Sequence, residues 1–328
     1  MAPEPKSIPV YHLQTPSGAG FPRHALPNML GAMRVLRRVN PDLVHLHVQH
    51  YYSLANILSK LPFVLTSWGL EVETLPQAHF RQKSLARIAA MKASVITVDA
   101  NCLKERWVEM GIPGSKITVI PFGVDTDIFN PNVDGSAIRK KLRIRETDVV
   151  IISTRPFYNN NHYDIECLIR AIPLIVRSHG NAKFIIKGTG PLESYLKRLV
   201  KKLDLSKHVH FVGLVPHNKV SPHLAAADIY VSTCFVDSTS VSLLEAMACG
   251  LPPVVTDIPG NREWIKDGED GFLFPPKNPT VLAERVIQLI ENPSLRKRFG
   301  ERCFKIVKRR ATWENCVSKM EAIYKSLL

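Results

Sequence analysis

The 328-residue chain contains no run of about 18 consecutive apolar residues, which excludes a membrane-spanning helix of ordinary length. Its first residues, MAPEPKSIPVYHLQ, have no basic region followed by an apolar core, so no secretory leader is expected. Cysteine is sparse: Cys102, Cys167, Cys234, Cys249, Cys303 and Cys316 are scattered and no C-x-x-C pair occurs, the pattern of reduced thiols in a cytoplasmic protein. Zinc-finger and RNA-recognition signatures are missing. Aromatic residues, 8% of the chain, are not interleaved with the basic clusters as stacking platforms would be, so no nucleic-acid partner is expected. Internal repeats and low-complexity tracts are also absent.

What remains is an ordinary globular composition, 45% hydrophobic and 22% charged. The length exceeds one ordinary core and favours two domains. The net charge of +14 is unusual. A basic chain attracts phosphate, whether on a nucleotide or on an anionic lipid. Basic clusters at 139–145 (RKKLRIR), 197–202 (KRLVKK) and 305–310 (KIVKRR) read singly as solvated helix faces; together they suggest peripheral attraction to the inner face of an anionic membrane.

Along the chain, apolar runs of strand length alternate with segments of helical period, the pattern of βαβ units and parallel sheets. Strands are expected at 8–14, 43–48, 63–67, 94–98 and 116–120, with helices at 26–39, 51–60, 80–91 and 101–110. The stretch 121–131 (PFGVDTDIFNP) is rich in breakers and has no periodic apolar face. Beyond it, strands are expected at 149–153, 182–187, 208–212, 229–232 and 253–256. Helices should fill 164–179, 191–203, 217–226, 240–249, 260–267 and 279–291, and two amphipathic helices should close the chain at 294–310 and 312–328.

The richest stretch is 237–263, DSTSVSLLEAMACGLPPVVTDIPGNRE. A buried strand ends just before an acid and a run of hydroxyls. A helix opens near Ser240 with Leu243, Leu244 and Met247 on one face, and Gly250 with Pro252 and Pro253 stops it. Loops at the carboxyl ends of parallel strands are where open α/β sheets bind ligands. A helix N-terminus there is an anion site. The acids Asp237 and Glu245 stand eight positions apart and suit hydroxyls of a sugar or ribose. Arg155 follows the strand expected at 149–153, where a guanidinium at the carboxyl end can grip a diphosphate through two N–H groups. Lys187-Gly188-Thr189-Gly190 ends the next strand, and two glycines there let backbone approach a ligand closely.

Asp237, seven residues and then Glu245-Ala246-Met247-Ala248-Cys249-Gly250-Leu251-Pro252 resemble the signature of family-four retaining glycosyltransferases, glycosyl transferases group 1 of GT-B fold. The usual first acid there is Glu, so Asp237 is one methylene shorter. The resemblance implies two Rossmann-type domains whose parallel sheets face a cleft. It spans about residues 40–328 and is best over 148–275. The Gly-Val-Asp and Phe-x-Pro of 121–131 resemble the family's interdomain crossover. Domains are accordingly expected at 1–130 (acceptor side) and 131–311 (nucleotide sugar), with 312–328 crossing back to the first. The family's first domain opens with a strand, a Gly-rich turn, a helix and a second strand. The sequence has no counterpart of these, so a shortened or rebuilt first domain is expected; Gly18-Ala19-Gly20 reads as an ordinary turn.

By the same resemblance, Asp237, Arg155 and Glu245 carry catalysis. Asp237 lies by the transferred sugar, Arg155 holds the donor phosphates, and Glu245 takes the ribose hydroxyls. Donor contacts fall to Lys187, Gly188, Gly190, Gly213, Leu214, Ser238, Thr239, Ser240 and Tyr163, the last standing where relatives carry a Lys. On the acceptor side, His45 and His47 share one strand face at period two, and His47, Trp68 and Glu71 are expected to meet the acceptor. Two histidines without a third ligand argue against a metal. The implied reaction moves a hexose from a nucleotide diphosphate sugar to a glycan or lipid-linked acceptor hydroxyl with retention, without metal or cofactor. Two alternatives stay open: a nucleotide-sugar binder without turnover, and a GT-B nucleotide-sugar epimerase.

Overall fold

A computed structural model describes residues 25–47, 52–69, 80–158 and 162–328. The chain divides into two compact units. The first comprises residues 1–99, 103–120 and 320–328, and the second residues 100–102 and 121–319. The breaker-rich 121–131 segment therefore clusters with the second unit. Within that unit Val124 bridges Thr312, and a side chain at Gly123 would strike the Trp313 backbone at 2.6 Å.

In the first unit the described helices are α1 (Ala25–Val39), α2 (Tyr52–Ser59), α3 (Phe80–Lys92) and α4 (Asn101–Glu109), whose first two residues cluster with the second unit. Strands β1 (Val44–His47), β2 (Phe63–Ser67), β3 (Val95–Val98) and β4 (Ile117–Val119) pair in parallel in sequential order. Every residue of β2 is buried, as a central strand of a parallel sheet covered on both faces requires. The expected strand at 8–14 and the turn at 18–20 lie outside the described residues, as does Glu71.

The second unit holds β5 (Val149–Thr154), β6 (Ala182–Lys187), β7 (Val209–Gly213), β8 (Ile229–Ser232), β9 (Pro253–Thr256) and β10 (Phe272–Phe274). Its helices are α5 (Ser136–Lys141), α6 (Ile165–Ser178), α7 (Glu193–Lys202), α8 (Val220–Ala225), α9 (Val241–Ala248), α10 (Pro259–Arg262), α11 (Pro279–Glu291) and α12 (Pro293–Arg310). The final helix, α13 (Trp313–Leu327), begins in this unit and ends in the first.

The six strands run in parallel in the order β10-β9-β8-β5-β6-β7. Alternate residues feed two apolar layers. Ile151, Phe184, Ile186, Val231 and Val254 pack with α6 and α11 side chains such as Leu168, Ile172, Leu282 and Val286. Val150, Ile152, Ile185, Tyr230 and Val255 pack with Leu243, Leu244 and Met247 of α9. This two-sided burial explains why the strands read as continuous apolar runs with no polar alternation.

The strand order reverses between β5 and β8. From β5 the chain winds outward through β6 and β7, and from β8 it winds the other way through β9 and β10. A crevice opens at such a switch point, because the loops leaving the two neighbouring strands depart to opposite faces. The loops concerned begin at Arg155 and at Thr233, the two places where the sequence concentrates polar residues.

Candidate active site

Arg155 follows the last residue of β5 and is 7% exposed. Its Nε donates to Ser232 Oγ at 3.0 Å, its Nη2 lies 2.9 Å from Asp237 Oδ2, and Nη2 also donates to Ser240 Oγ. One guanidinium thus ties the end of β8, the acidic loop and the start of α9 together. A buried cation needs such partners, since leaving it unpaired would cost several kcal/mol. Arg155 also sits over the Tyr163 ring, 5.5 Å from its centroid. Tyr163 is placed by an antiparallel bridge to Cys234, beside a hydrogen bond from Phe235 N to His162 O at 2.8 Å.

Ser240 is the N-cap of α9: its Oγ accepts from Leu243 N at 3.2 Å. Two residues on, Ser242 Oγ meets Tyr230 OH at 2.9 Å. Because the cap is at 240, Glu245 falls inside the helix, is 7% exposed, and meets His217 Nε2 through Oε1 at 2.9 Å. Burial pushes the Glu245 carboxyl above its usual range, against the opposing influence of His217, Lys187 and Arg155.

These groups share one cavity of about 400 Å³. Arg155, Tyr163, Lys187, Asp237, Thr239, Ser240 and Glu245 line it, together with residues of the 121–131 segment and the β7–α8 connection such as Phe122, Val215 and His217. All belong to the second unit. A chamber at the switch point of a doubly wound sheet, with two cations, two acids and a helix N-terminus, suits an anion joined to a polyol.

A sequence-family model described as glycosyl transferases group 1 matches residues 134–305, and one described as glycosyltransferase family 4 matches residues 2–128. The chain belongs to the glycosyl transferases group 1 family. It is a glycosyltransferase of GT-B fold. It is 26% identical over 314 residues to the N-acetyl-alpha-D-glucosaminyl L-malate synthase of Bacillus anthracis, covering 94% of this chain and 81% of that protein. Over 209 residues it is 28% identical to a GDP-mannose-dependent alpha-(1-6)-phosphatidylinositol monomannoside mannosyltransferase of Mycolicibacterium smegmatis, covering 61% of this chain and 54% of that one. In fold it resembles Anabaena HepE solved in complex with UDP, with a TM-score of 0.80 at 18% identity, covering 90% of this chain and 82% of that one.

Some residues expected at the donor site of this glycosyltransferase do not line the cavity. Gly188 and Gly190 have φ of 153° and 154°. A Cβ on Gly188 would stand 2.1 Å from Arg155 O, and one on Gly190 2.5 Å from Phe157 O. The close approach that demands these glycines is thus to the chain's own β5 loop, and the turn packs over the backbone that carries Arg155. Gly213 accepts from Gly188 N at 3.1 Å, and Leu214 is 78% exposed. The residue after them, Val215, is the one that reaches the cavity. Ser238, in the acidic loop itself, is buried.

Of the residues expected to meet an acceptor, His47 stacks on Trp68 at 5.4 Å with 6° between the ring planes, and on His45 at 4.1 Å. His45 is fixed from both ends, by Tyr324 OH at Nδ1 and Thr66 Oγ1 at Nε2, each at 2.5 Å. These residues belong to the first unit.

Sequence reasoning missed His217 and Gly260. A Cβ on Gly260 would stand 2.1 Å from Ser238 O and 2.3 Å from Asp237 O, so this glycine lets α10 close on the acidic loop. The available signals were weak ones: a histidine four residues beyond the end of β7, and a glycine following Pro259.

Proposed function

We propose that the protein is a retaining hexosyltransferase that uses a nucleoside diphosphate sugar and a glycan or lipid-linked hydroxyl, with no metal or cofactor. The observation that carries this reading is the cavity in which Arg155, Lys187, Asp237, Glu245 and the α9 N-terminus converge. The bond from the anomeric carbon to phosphate breaks with its electron pair leaving on the diphosphate. The acceptor oxygen forms the new bond and its proton passes to the departing phosphate. Such a step is accelerated by a positive field fixed in advance where negative charge develops. Arg155, Lys187 and the N–H groups at Ser240 supply that field, Asp237 orients the sugar, and Glu245 accepts from the ribose diol. Attack on the face the diphosphate leaves gives retention. His47 and Trp68 offer a ring surface and a hydrogen-bonding group to the acceptor. The net charge of +14 favours peripheral contact with an anionic membrane bearing a lipid-linked acceptor.

The test is a thermal-shift panel of UDP, GDP and ADP. At least one should raise the midpoint, because a ligand that binds only the folded state stabilises it. Arg155→Ala and Glu245→Ala should each shrink the shift. No shift with any of the three would sink the reading. A second reading, a binder without turnover, draws on the Arg155–Asp237 pair and on Tyr163, since a guanidinium already facing a carboxylate lends less field to a leaving group. Nucleotide release from a bound nucleotide sugar separates the two: binding without release favours the binder.

A further inference from the structure

Glu245 is the buried member of an asymmetric pair. Its side chain is 9% exposed while that of His217 is 68% exposed, yet the two meet at 2.9 Å through Oε1 and Nε2. His217 opens the single 3-10 turn His217–Lys219 between β7 and α8. Its ring is backed by Phe129, with centroids 5.3 Å apart. Phe129 is itself 1% exposed and belongs to the 121–131 segment. A buried aromatic from one connection thus supports an imidazole from another, and that imidazole touches one oxygen of the acid lining the cavity.

We propose that His217 is a positioning residue that holds Glu245 through Oε1 and thereby presents Oε2 to the vicinal diol of the bound nucleotide's ribose. This rests on the reading of Glu245 as the ribose-binding acid. A carboxylate accepts through two oxygens with about four lone-pair sites, so one oxygen can be anchored while the other serves the ligand. Without an anchor the carboxylate can turn about its soft terminal torsion, and the diol meets the acceptor geometry only part of the time. The anchor also favours the charged form. Burial alone pushes the carboxyl up toward the protonated acid, which donates where the diol needs an acceptor; the His217 hydrogen bond opposes that. Phe129 backs the imidazole, whose Nε2 reaches Glu245. The Phe-x-Pro at the end of the 121–131 segment thereby acquires a part in sugar recognition that its position in the sequence does not suggest.

The test uses the full chain and whichever of UDP, GDP and ADP binds, together with its 2′,3′-dideoxy counterpart. The readout is the ratio of the two dissociation constants. Hydrogen bonds to a charged acceptor predict a ratio of about 10 or more in the unaltered protein. In His217→Ala the ratio should fall to about 3 or less, with the dideoxy compound binding about as before. His217→Gln, whose amide can donate to Oε1, should restore part of the ratio and guards against a folding defect in the alanine variant. A ratio lost in Glu245→Ala but kept in His217→Ala overturns this inference alone. Equal weakening toward both compounds in His217→Ala, with the ratio intact, also overturns it, because that marks a general structural role. A ratio unchanged in Glu245→Ala, or no binding by any of the three nucleotides, overturns the ribose reading and this inference with it.

Discussion

At Gly260 the absence of a side chain matters more than any side chain nearby. Both carbonyls of the Asp237–Ser238 loop would lie within 2.3 Å of a Cβ there. Backbone cannot yield as the end of a flexible side chain can, so Gly260→Ala should cost about 1–3 kcal/mol in urea unfolding and weaken nucleotide binding by displacing Asp237. Gly180, with open space where its Cβ would be, is the control: Gly180→Ala should stay within about 0.5 kcal/mol of the parent. Unchanged binding by Gly260→Ala would mean that the loop tolerates the shift. The acids were legible because spacing, hydroxyls and helix period agree around them. The purpose of the glycines was not, because sequence says that backbone must come close but not to what. At Gly188 and Gly190 the partner is the β5 loop of the same chain. His217 was illegible for a related reason: its partner lies 28 positions away, and nothing local marks an imidazole as an anchor.

Elements were more legible than contacts. Strands buried on both faces announce themselves as apolar runs, and 63–67, 182–187, 229–232 and 253–256 coincide with the observed β2, β6, β8 and β9. The strand Phe272–Phe274 and the helix Ser136–Lys141 are too short to show a period. The expected helix at 217–226 divides into a 3-10 turn and α8, and this break leaves His217 at the rim. The helix expected at 260–267 ends at Arg262, with Trp264 and Ile265 turning into the core. Between elements, the strand β1 and the last helix meet through His45 and Tyr324. Burial first, and the neighbouring His47 second, lower the His45 pKa from 6.5 to about 4. The folded state therefore resists a proton that the unfolded chain accepts. His45 contributes fully to stability above pH 6.5, and that contribution drains away as the pH falls toward 4. Urea midpoints measured at pH 7, 5.5 and 4 should fall less steeply in His45→Asn than in the parent; parallel slopes would refute the assignment.

For the molecule as a whole, charge and fold speak to different questions. The family and the GT-B architecture follow from chain-wide similarity, whereas the excess of 43 Lys and Arg over 29 Asp and Glu concerns what the surface meets. Among the described residues no helix is long and apolar enough to cross a membrane. The membrane contact proposed from that charge is electrostatic, so sedimentation with vesicles containing an anionic phospholipid should retain the protein at low salt and release it as the Debye length falls to about 3 Å near 1 M salt. Retention indifferent to salt, or none at low salt, would count against it.

The closing helix has a practical consequence. Since its start clusters with one unit and its end with the other, neither unit corresponds to an unbroken length of gene. An expression fragment cut after residue 120 would omit Tyr324 and leave His45 with one of its two anchors. Halves prepared for separate study would have to be spliced, with the terminal codons grafted back onto the first.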